Sequence, residues 1–435
     1  MLGIMAIDLA HLKSLPIVMY GQTYLLAVIA WLAAPLFVVF GPSIALLKAP
    51  FVPVNVLAVS ALYVLLRKSA RLGVLESALV SATLALPTIV LSQSFMNASG
   101  GHLEPVLYVP WLFLLRRRPI ALGLAGAFVV AHREVTAVAL IALALVELWR
   151  AGERRALARR WLQTAGVFGV VLLAIRWVAH WSTNYGGLEA GYTPSANIAD
   201  GLSWLAKDTS ILLGLAPHDL RDTGFILPFV EGSRVSLAAV GLLAVLAIVT
   251  IARRWRTWRG DARTAAGEYL TLACVLVALA FAGREMTHDT LLIRYLFILA
   301  LVPAALTACV LSAQPSRVVR AITFAALAWL SVANGLGNAN YYRALSDARL
   351  PDRLGAVATF LEEQGITTGI APYWVAYNLT FRTGGKVHVA SSELVRIPAY
   401  QEEYDVHRDR SVRIDLGPCA PGKEVIVRGV RICMP

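Results

Sequence analysis

The sequence predicts an all-α polytopic membrane protein that carries a small C-terminal α/β domain outside the bilayer. Three observations lead there. Of 435 residues, 58% are hydrophobic and only 15% charged, and a mean hydropathy of +0.65 is too high for a soluble chain of this size. The apolar residues fall into about eleven runs separated by short basic clusters. Beyond Gly337 the composition shifts, and charged positions return among stretches that alternate with period two.

In chain order the runs are residues 24–40, 44–66, 74–91, 105–115, 120–131, 135–149, 162–181, 235–252, 269–283, 291–311 and 318–336. The basic clusters between them are Arg67-Lys68 with Arg71, Arg116 to Arg118, residues 150–160, residues 253–263, and Arg317 with Arg320. They alternate with loops poor in Lys and Arg, and the positive-inside bias makes them cytoplasmic. Residues 92–104, 132–134, 182–234 and 284–290, and the tail from 338, then face outward. The chain divides into a multi-span membrane domain, 1–337, and a soluble extracytoplasmic domain, 338–435. The net charge of +12 reports this topology and gives no support for nucleic-acid binding. If residues 24–40 cross fully, the alternation puts 1–23 in the cytoplasm; they lie outside if that run is re-entrant or if the inside bias misleads at one loop.

The outer loop 182–234 contains a helical piece, 202–215, whose polar interruptions suit an interfacial helix. In the tail, residues 352–364 have helical spacing, whereas 386–390, 412–416 and 424–432 alternate as strands. Cys274 and Cys309 fall inside apolar runs. Cys419 and Cys433 lie in the polar tail and can pair in an oxidising compartment.

Residues 97–134 concentrate the chemistry. As helices, the runs 105–115 and 120–131 reach only about 17 to 18 Å, against a hydrocarbon core of about 30 Å. Helices this short are tolerated at membrane depth where they line a protein-walled or watery cavity. The arginine triplet between them marks the cytoplasmic end, so His102, Glu104, His132, Arg133 and Glu134 share the outer one. His102 and Glu104, two apart, point the same way in an extended loop, as a divalent metal or a phosphate-bearing substrate requires. Gly100-Gly101 allows close backbone approach. The plainer reading is a polar turn capping a helix that starts at Pro105. His132-Arg133-Glu134 places three ionisable groups in a row where insertion is costly. Glu104 or Glu134 suits a general base, Arg133 a phosphate partner, and either histidine a metal ligand or proton shuttle; a self-neutralised Arg-Glu pair at a helix junction is the alternative. Arg294 is placed either to grip a lipid phosphate or to snorkel to headgroups. Asp8 and His11 are one helical turn apart. Tyr373, Trp374, Tyr377 and Phe381 cluster as a sugar-stacking surface or as the core of a small domain.

These motifs resemble those of the polytopic glycosyltransferases of the GT-C superfamily, the group that contains protein O-mannosyltransferases and the lipid A aminoarabinose transferase. The resemblance runs through Tyr20-Gly21-Gln22-Thr23-Tyr24, Ala34-Pro35-Leu36-Phe37, Phe40-Gly41-Pro42-Ser43, Gly100-Gly101-His102-Leu103-Glu104-Pro105, His132-Arg133-Glu134, Arg294-Tyr295-Leu296, and Tyr373-Trp374 to Arg396. It implies transfer of a sugar from a polyprenyl-phosphate donor to a lipid, glycan or protein acceptor at the outer face of a bacterial inner membrane, by an inverting mechanism with a carboxylate base. Carried onto this chain, Glu104, Glu134 and His102 are the catalytic candidates. His132, Arg133, Arg294, Tyr20 and Gln22 are the substrate-binding candidates, and His102 with Glu104 the candidate ligands of a divalent metal. The pattern departs at its start. The family's first transmembrane helix and its acidic loop have no counterpart before Met1, and Val28-Ile29 stand where a second acid is expected. Either a longer natural chain or a catalytically weakened copy accounts for that. Two readings from other classes stand beside the enzyme: a transporter or lipid flippase using the same charges as a substrate path, and a non-catalytic GT-C-like membrane protein.

Overall fold

A computed structural model describes residues 1–22, 25–95, 104–182, 198–215, 218–219, 229–230, 234–258, 261–283, 290–347 and 352–435. The chain is mostly helical, and it divides into two compact units, one formed by Met1–Pro50, Ile175–Ala190 and Arg349–Pro435, the other by Phe51–Ala174 and Gly191–Ala348. Among the described residues six helices are long and apolar enough to cross a membrane: Ile44–Lys68, Arg154–His180, Ser236–Arg254, Ala265–Ala282, Tyr295–Ser312 and Arg317–Asp347. A bent pair, Val74–Ala85 and Ile89–Phe95, makes a seventh if counted as one span. Large apolar side chains such as Leu162, Val170, Leu173 and Trp177 stand exposed along the Arg154–His180 helix. That is the surface of a membrane protein, where lipid replaces water against the outward faces.

In the second unit, the helices Phe51–Lys68, Glu104–Leu115, Ala265–Ala282 and Val302–Ser312 share one apolar core, in which Leu62, Leu65, Leu112 and Leu270 are fully buried. The Tyr269 ring packs on Phe113 at 5.0 Å and its hydroxyl donates to the Val109 carbonyl at 2.8 Å. Gly267 lies so close to the facing helix that a Cβ would sit 2.8 Å from the Cys309 sulfur, the kind of small-residue contact that lets helices approach within a bilayer.

The run 74–91 is not one straight helix, because Pro87 cannot continue the ladder and the two pieces meet at 79°. The broken backbone is satisfied from the Arg317–Asp347 helix: Asn334 donates to the Leu86 carbonyl at 3.1 Å and Asn338 to the Pro87 carbonyl at 2.7 Å. That helix also runs further than its apolar stretch, through Asn338 to Asp347, where Tyr341 is buried and the Tyr342 hydroxyl shares a hydrogen bond with Ser92 at 2.8 Å. The run 291–311 forms a 3-10 segment, Thr290–Leu301, followed by the α-helix Val302–Ser312. The helical piece expected at 202–215 forms as the helix Ile198–Leu212.

In the first unit, the tail folds around strands β1 (Thr368–Ala371), β2 (His388–Ser391), β3 (Val412–Ile414), β4 (Glu424–Val427) and β5 (Val430–Cys433), ordered β2-β1-β3-β5-β4 in one sheet. β1 pairs in parallel with β2 and β3, and β5 runs antiparallel to both β3 and β4. The helix Tyr373–Arg382 makes the β1–β2 crossover and Pro398–Val406 the β2–β3 crossover, as parallel pairing demands. Residues 424–432, one alternating stretch in the sequence, are a hairpin. Arg428 at φ 49° and Gly429 at φ 81° supply the left-handed pair that a tight two-residue turn needs. β1 has no alternating signal because Gly369 sits where a Cβ would meet Val412 at 2.9 Å. Tyr377 and Phe381 are buried, so that part of the aromatic cluster is core, and Trp374 is exposed.

Cys419 and Cys433 form a disulfide across 14 residues. For a loop of that length the bond contributes about 3 kcal/mol by restricting the unfolded chain. Replacing both cysteines by Ser is therefore expected to lower the unfolding free energy of this domain by about that amount. Pulse proteolysis of the full chain in urea measures it, and an unchanged midpoint would show the bond to be structurally idle.

Candidate functional site

The two short helices form as Glu104–Leu115 and Pro119–His132. Between them Arg118, at φ −118° and ψ 86°, lies outside helical geometry before Pro119, which takes the first helical position of the second. The second helix ends because Arg133 leaves helical geometry at φ −148°, ψ 102°, and a 3-10 turn, Glu134–Thr136, leads into the helix Ala137–Arg150. That one extended residue swings the Arg133 side chain inward. Its Nε lies 3.7 Å from Oε2 of Glu104, and Nε2 of His132 lies 3.9 Å from Oε1.

All three side chains are buried: Glu104 is 2% exposed, His132 1% and Arg133 7%. Tyr108, one helical turn beyond Glu104, completes the group, its hydroxyl 2.6 Å from Nδ1 of His132. A hydroxyl that donates there leaves the ring proton on Nε2, the nitrogen facing Glu104. The distances to Glu104 lie within ion-pair range but beyond hydrogen-bond reach. Both Glu104 oxygens, Nε2 of His132 and Nε of Arg133 have no hydrogen-bond partner among the described residues, and each such buried atom costs about 1–3 kcal/mol if left so. The hydroxyl of Thr136, fully buried one turn on, is in the same condition. Glu104 also stands in the first turn of its helix, where free backbone N–H groups favour negative charge. The arrangement can orient a carboxylate as a proton acceptor and offers one guanidinium to an anion.

Of the residues singled out in the sequence, the structure thus brings together Glu104, His132 and Arg133. Glu134 begins the 3-10 turn and is exposed. His102 lies outside the described residues, as do the side chain of Arg294 and residues 284–289. No group of three metal-type ligands occurs among the described residues. The two donors present, Glu104 and His132, have the Arg133 cation beside them, a set that fits an anion better than a metal ion. Tyr108 carries little signal of its own inside an apolar run; its spacing of four from Glu104 is the sequence feature that places the two on one helix face.

Tyr20 and Gln22 belong to the first unit. Gln22 is half-buried. Tyr20 is buried, donates to Asp8 at 2.8 Å and lies 2.5 Å from the Ser14 hydroxyl. Next to it Gly21, at φ 66°, offers its carbonyl to the buried Arg396 guanidinium, and the Arg396 backbone N–H donates to the Tyr377 hydroxyl at 2.7 Å. A Cβ at Gly21 would overlap the Arg396 side chain at 2.4 Å. Phe37 stacks on Phe381 at 6.1 Å. Tyr20-Gly21 and the stretch from Tyr377 to Arg396, far apart in the chain, therefore interlock.

Burial pushes the Asp8 carboxyl above the ordinary carboxylate range, and the Tyr20 hydroxyl and the charges of Lys13, His388 and His11 pull it back only in part. A carboxyl whose folded pKa is raised stabilises the fold at pH below its ordinary value of about 4, and that contribution fades as pH rises through the folded pKa. Asp8→Asn is accordingly expected to flatten the rise in stability of the full chain on acidification. Thermal midpoints of wild type and variant, compared across the acid range in one detergent, check this; parallel curves would contradict it. No protein-family model, curated protein or solved structure matches the chain.

Proposed function

We propose that this protein is a membrane glycosyltransferase that moves a sugar from a polyprenyl-phosphate donor to an acceptor at the outer face of a bacterial inner membrane. The observation that carries the reading is the buried group of Glu104, His132, Arg133 and Tyr108 at the ends of two short helices, with unused hydrogen-bonding capacity on four of its polar atoms. Charged groups at this depth are costly and are retained where chemistry uses them. Glu104 takes the proton from the acceptor hydroxyl as the sugar's anomeric carbon is attacked. His132, held by Tyr108, relays or orients that proton. Arg133 balances the carboxylate and offers its remaining N–H groups to the donor phosphate, which departs as the leaving group.

Three further features support the reading. An apolar cavity of about 610 Å³ lies between Leu205 and Leu213 of the interfacial stretch, Cys274, and Leu306, and its lining suits an isoprenoid tail. The Cys419–Cys433 bond favours an oxidising compartment for the sheet domain. Beside the six or seven candidate spans among the described residues stand three shorter apolar helices, Val28–Phe40, Glu104–Leu115 and Pro119–His132, which on this reading also enter the membrane. The bent pair at Pro87 is the feature that favours a transporter instead, since discontinuous helices line transport sites. Proteoliposomes loaded with short-chain polyprenyl-phosphate sugars separate the two. The enzyme releases polyprenyl phosphate when acceptor is present and loses that release in Glu104→Gln, whereas a flippase moves intact donor between leaflets and releases none.

A further inference from the structure

The kink at Pro87 borders a second cavity, of about 440 Å³, lined by Asn55 and Val56 of the Phe51–Lys68 helix, Ser92 and Phe95 beyond the break, and Tyr342 of the Arg317–Asp347 helix. Its size lies in the range of small-molecule sites, about 300–1,000 Å³. None of its lining residues is charged. The polar groups are an amide and hydroxyls: Ser92 and Tyr342 share one hydrogen bond at 2.8 Å, which leaves each oxygen further donor or acceptor capacity. The Tyr342 ring is 43% exposed and is held edge-on by Tyr341 at 5.3 Å. Val56, 60% exposed, stands at the mouth.

Neutral hydroxyl and amide groups beside an available aromatic face match the chemistry of a sugar ring, which presents hydroxyls at its rim and C–H groups on its face. A phosphate finds no cation there, and a purely apolar chain would leave the hydroxyls unused. Measured along the helices at about 1.5 Å per residue, Asn55 is about 20 Å from Lys68, Pro87 about 21 Å from Gly73, and Glu104 about 18 Å from Arg116. We propose that this cavity binds the uncharged sugar ring of a membrane-borne glycolipid, as a subsite of the transfer reaction. It rests on the glycosyltransferase reading for its role, though not for the binding itself.

The test is photolabelling of the full chain in phosphatidylcholine nanodiscs with diazirine-bearing alkyl glycosides of gluco, galacto and manno configuration, followed by peptide mapping. Saturable labelling of the peptides that contain Asn55 to Val56 and Ser92 or Tyr342 is expected, with octyl glycoside competing and octyl phosphate failing to compete. Tyr342→Phe and Ser92→Ala each remove one hydroxyl without altering packing and are expected to weaken competition about fivefold. Val56→Trp, at an exposed position, is expected to block labelling. Decyl phosphosugar that competes at least tenfold better than octyl glycoside assigns the ring to the donor; equal competition assigns it to the acceptor. No saturable label at these peptides with any of the three probes, or equal competition by octyl phosphate, overturns the proposal. Glu104→Gln is expected to keep the label while losing transfer; in the wild-type chain, label without sugar transfer would sink the enzyme reading alone, and transfer without label would sink this one alone.

Discussion

Glu104→Gln is expected to lower sugar transfer by about 10²- to 10⁴-fold, the range of a lost general base, with little change in donor affinity. Glutamine keeps the size of the side chain and its contacts with His132 and Arg133, but it cannot accept a proton. The carboxylate is 2% exposed and sits 3.7 Å from Arg133, so water does not readily substitute for it. Glu134→Gln is the control. Glu134 is exposed on the 3-10 turn, and its variant is expected to stay within a few-fold of wild type, because an exposed carboxylate here is not the one aligned by the guanidinium. Release of polyprenyl phosphate in proteoliposomes measures both. A Glu104→Gln enzyme with normal turnover, or a Glu134→Gln enzyme with none, would reassign the base.

The second large effect concerns stability. Arg133→Met leaves the Glu104 carboxylate buried with no counter-charge, and breaking one side of a buried pair costs about 3–5 kcal/mol. Since the pair is 3.7 Å apart without a hydrogen bond, the lower end of that range applies. The double variant Glu104→Gln with Arg133→Met removes both charges and is expected to recover most of the loss, because a neutral amide beside a thioether carries a far smaller desolvation penalty. Unfolding free energies from SDS titration in mixed micelles close this cycle. Turnover separates a working site from a self-neutralised junction. The double variant regains stability and stays inactive if Glu104 does chemistry. It regains both if the pair only neutralises itself.

The membrane class was legible in composition and in the alternation of apolar runs with basic clusters, because burial in lipid selects residue type directly. The short helices were legible too, bounded by Pro119 and by the His132-Arg133-Glu134 break, since proline and consecutive charges stop an apolar helix locally. The tail's Arg353–Glu363 helix and its strands β2, β3 and β4 followed from period alone. What a linear pattern does not carry is which distant groups meet. That Tyr108 holds His132, that Glu134 points away while Glu104 is enclosed, and that Gly21 receives Arg396 across 375 residues are decided only when helices pack. The same holds for the cavity at Pro87: the proline announces a bend, but the hydroxyls gathered there come from three helices. Local sequence sets backbone geometry and hydrophobic periodicity, whereas electrostatic partnership depends on separations of a few ångströms between residues far apart in the chain. Tertiary packing alone sets those separations.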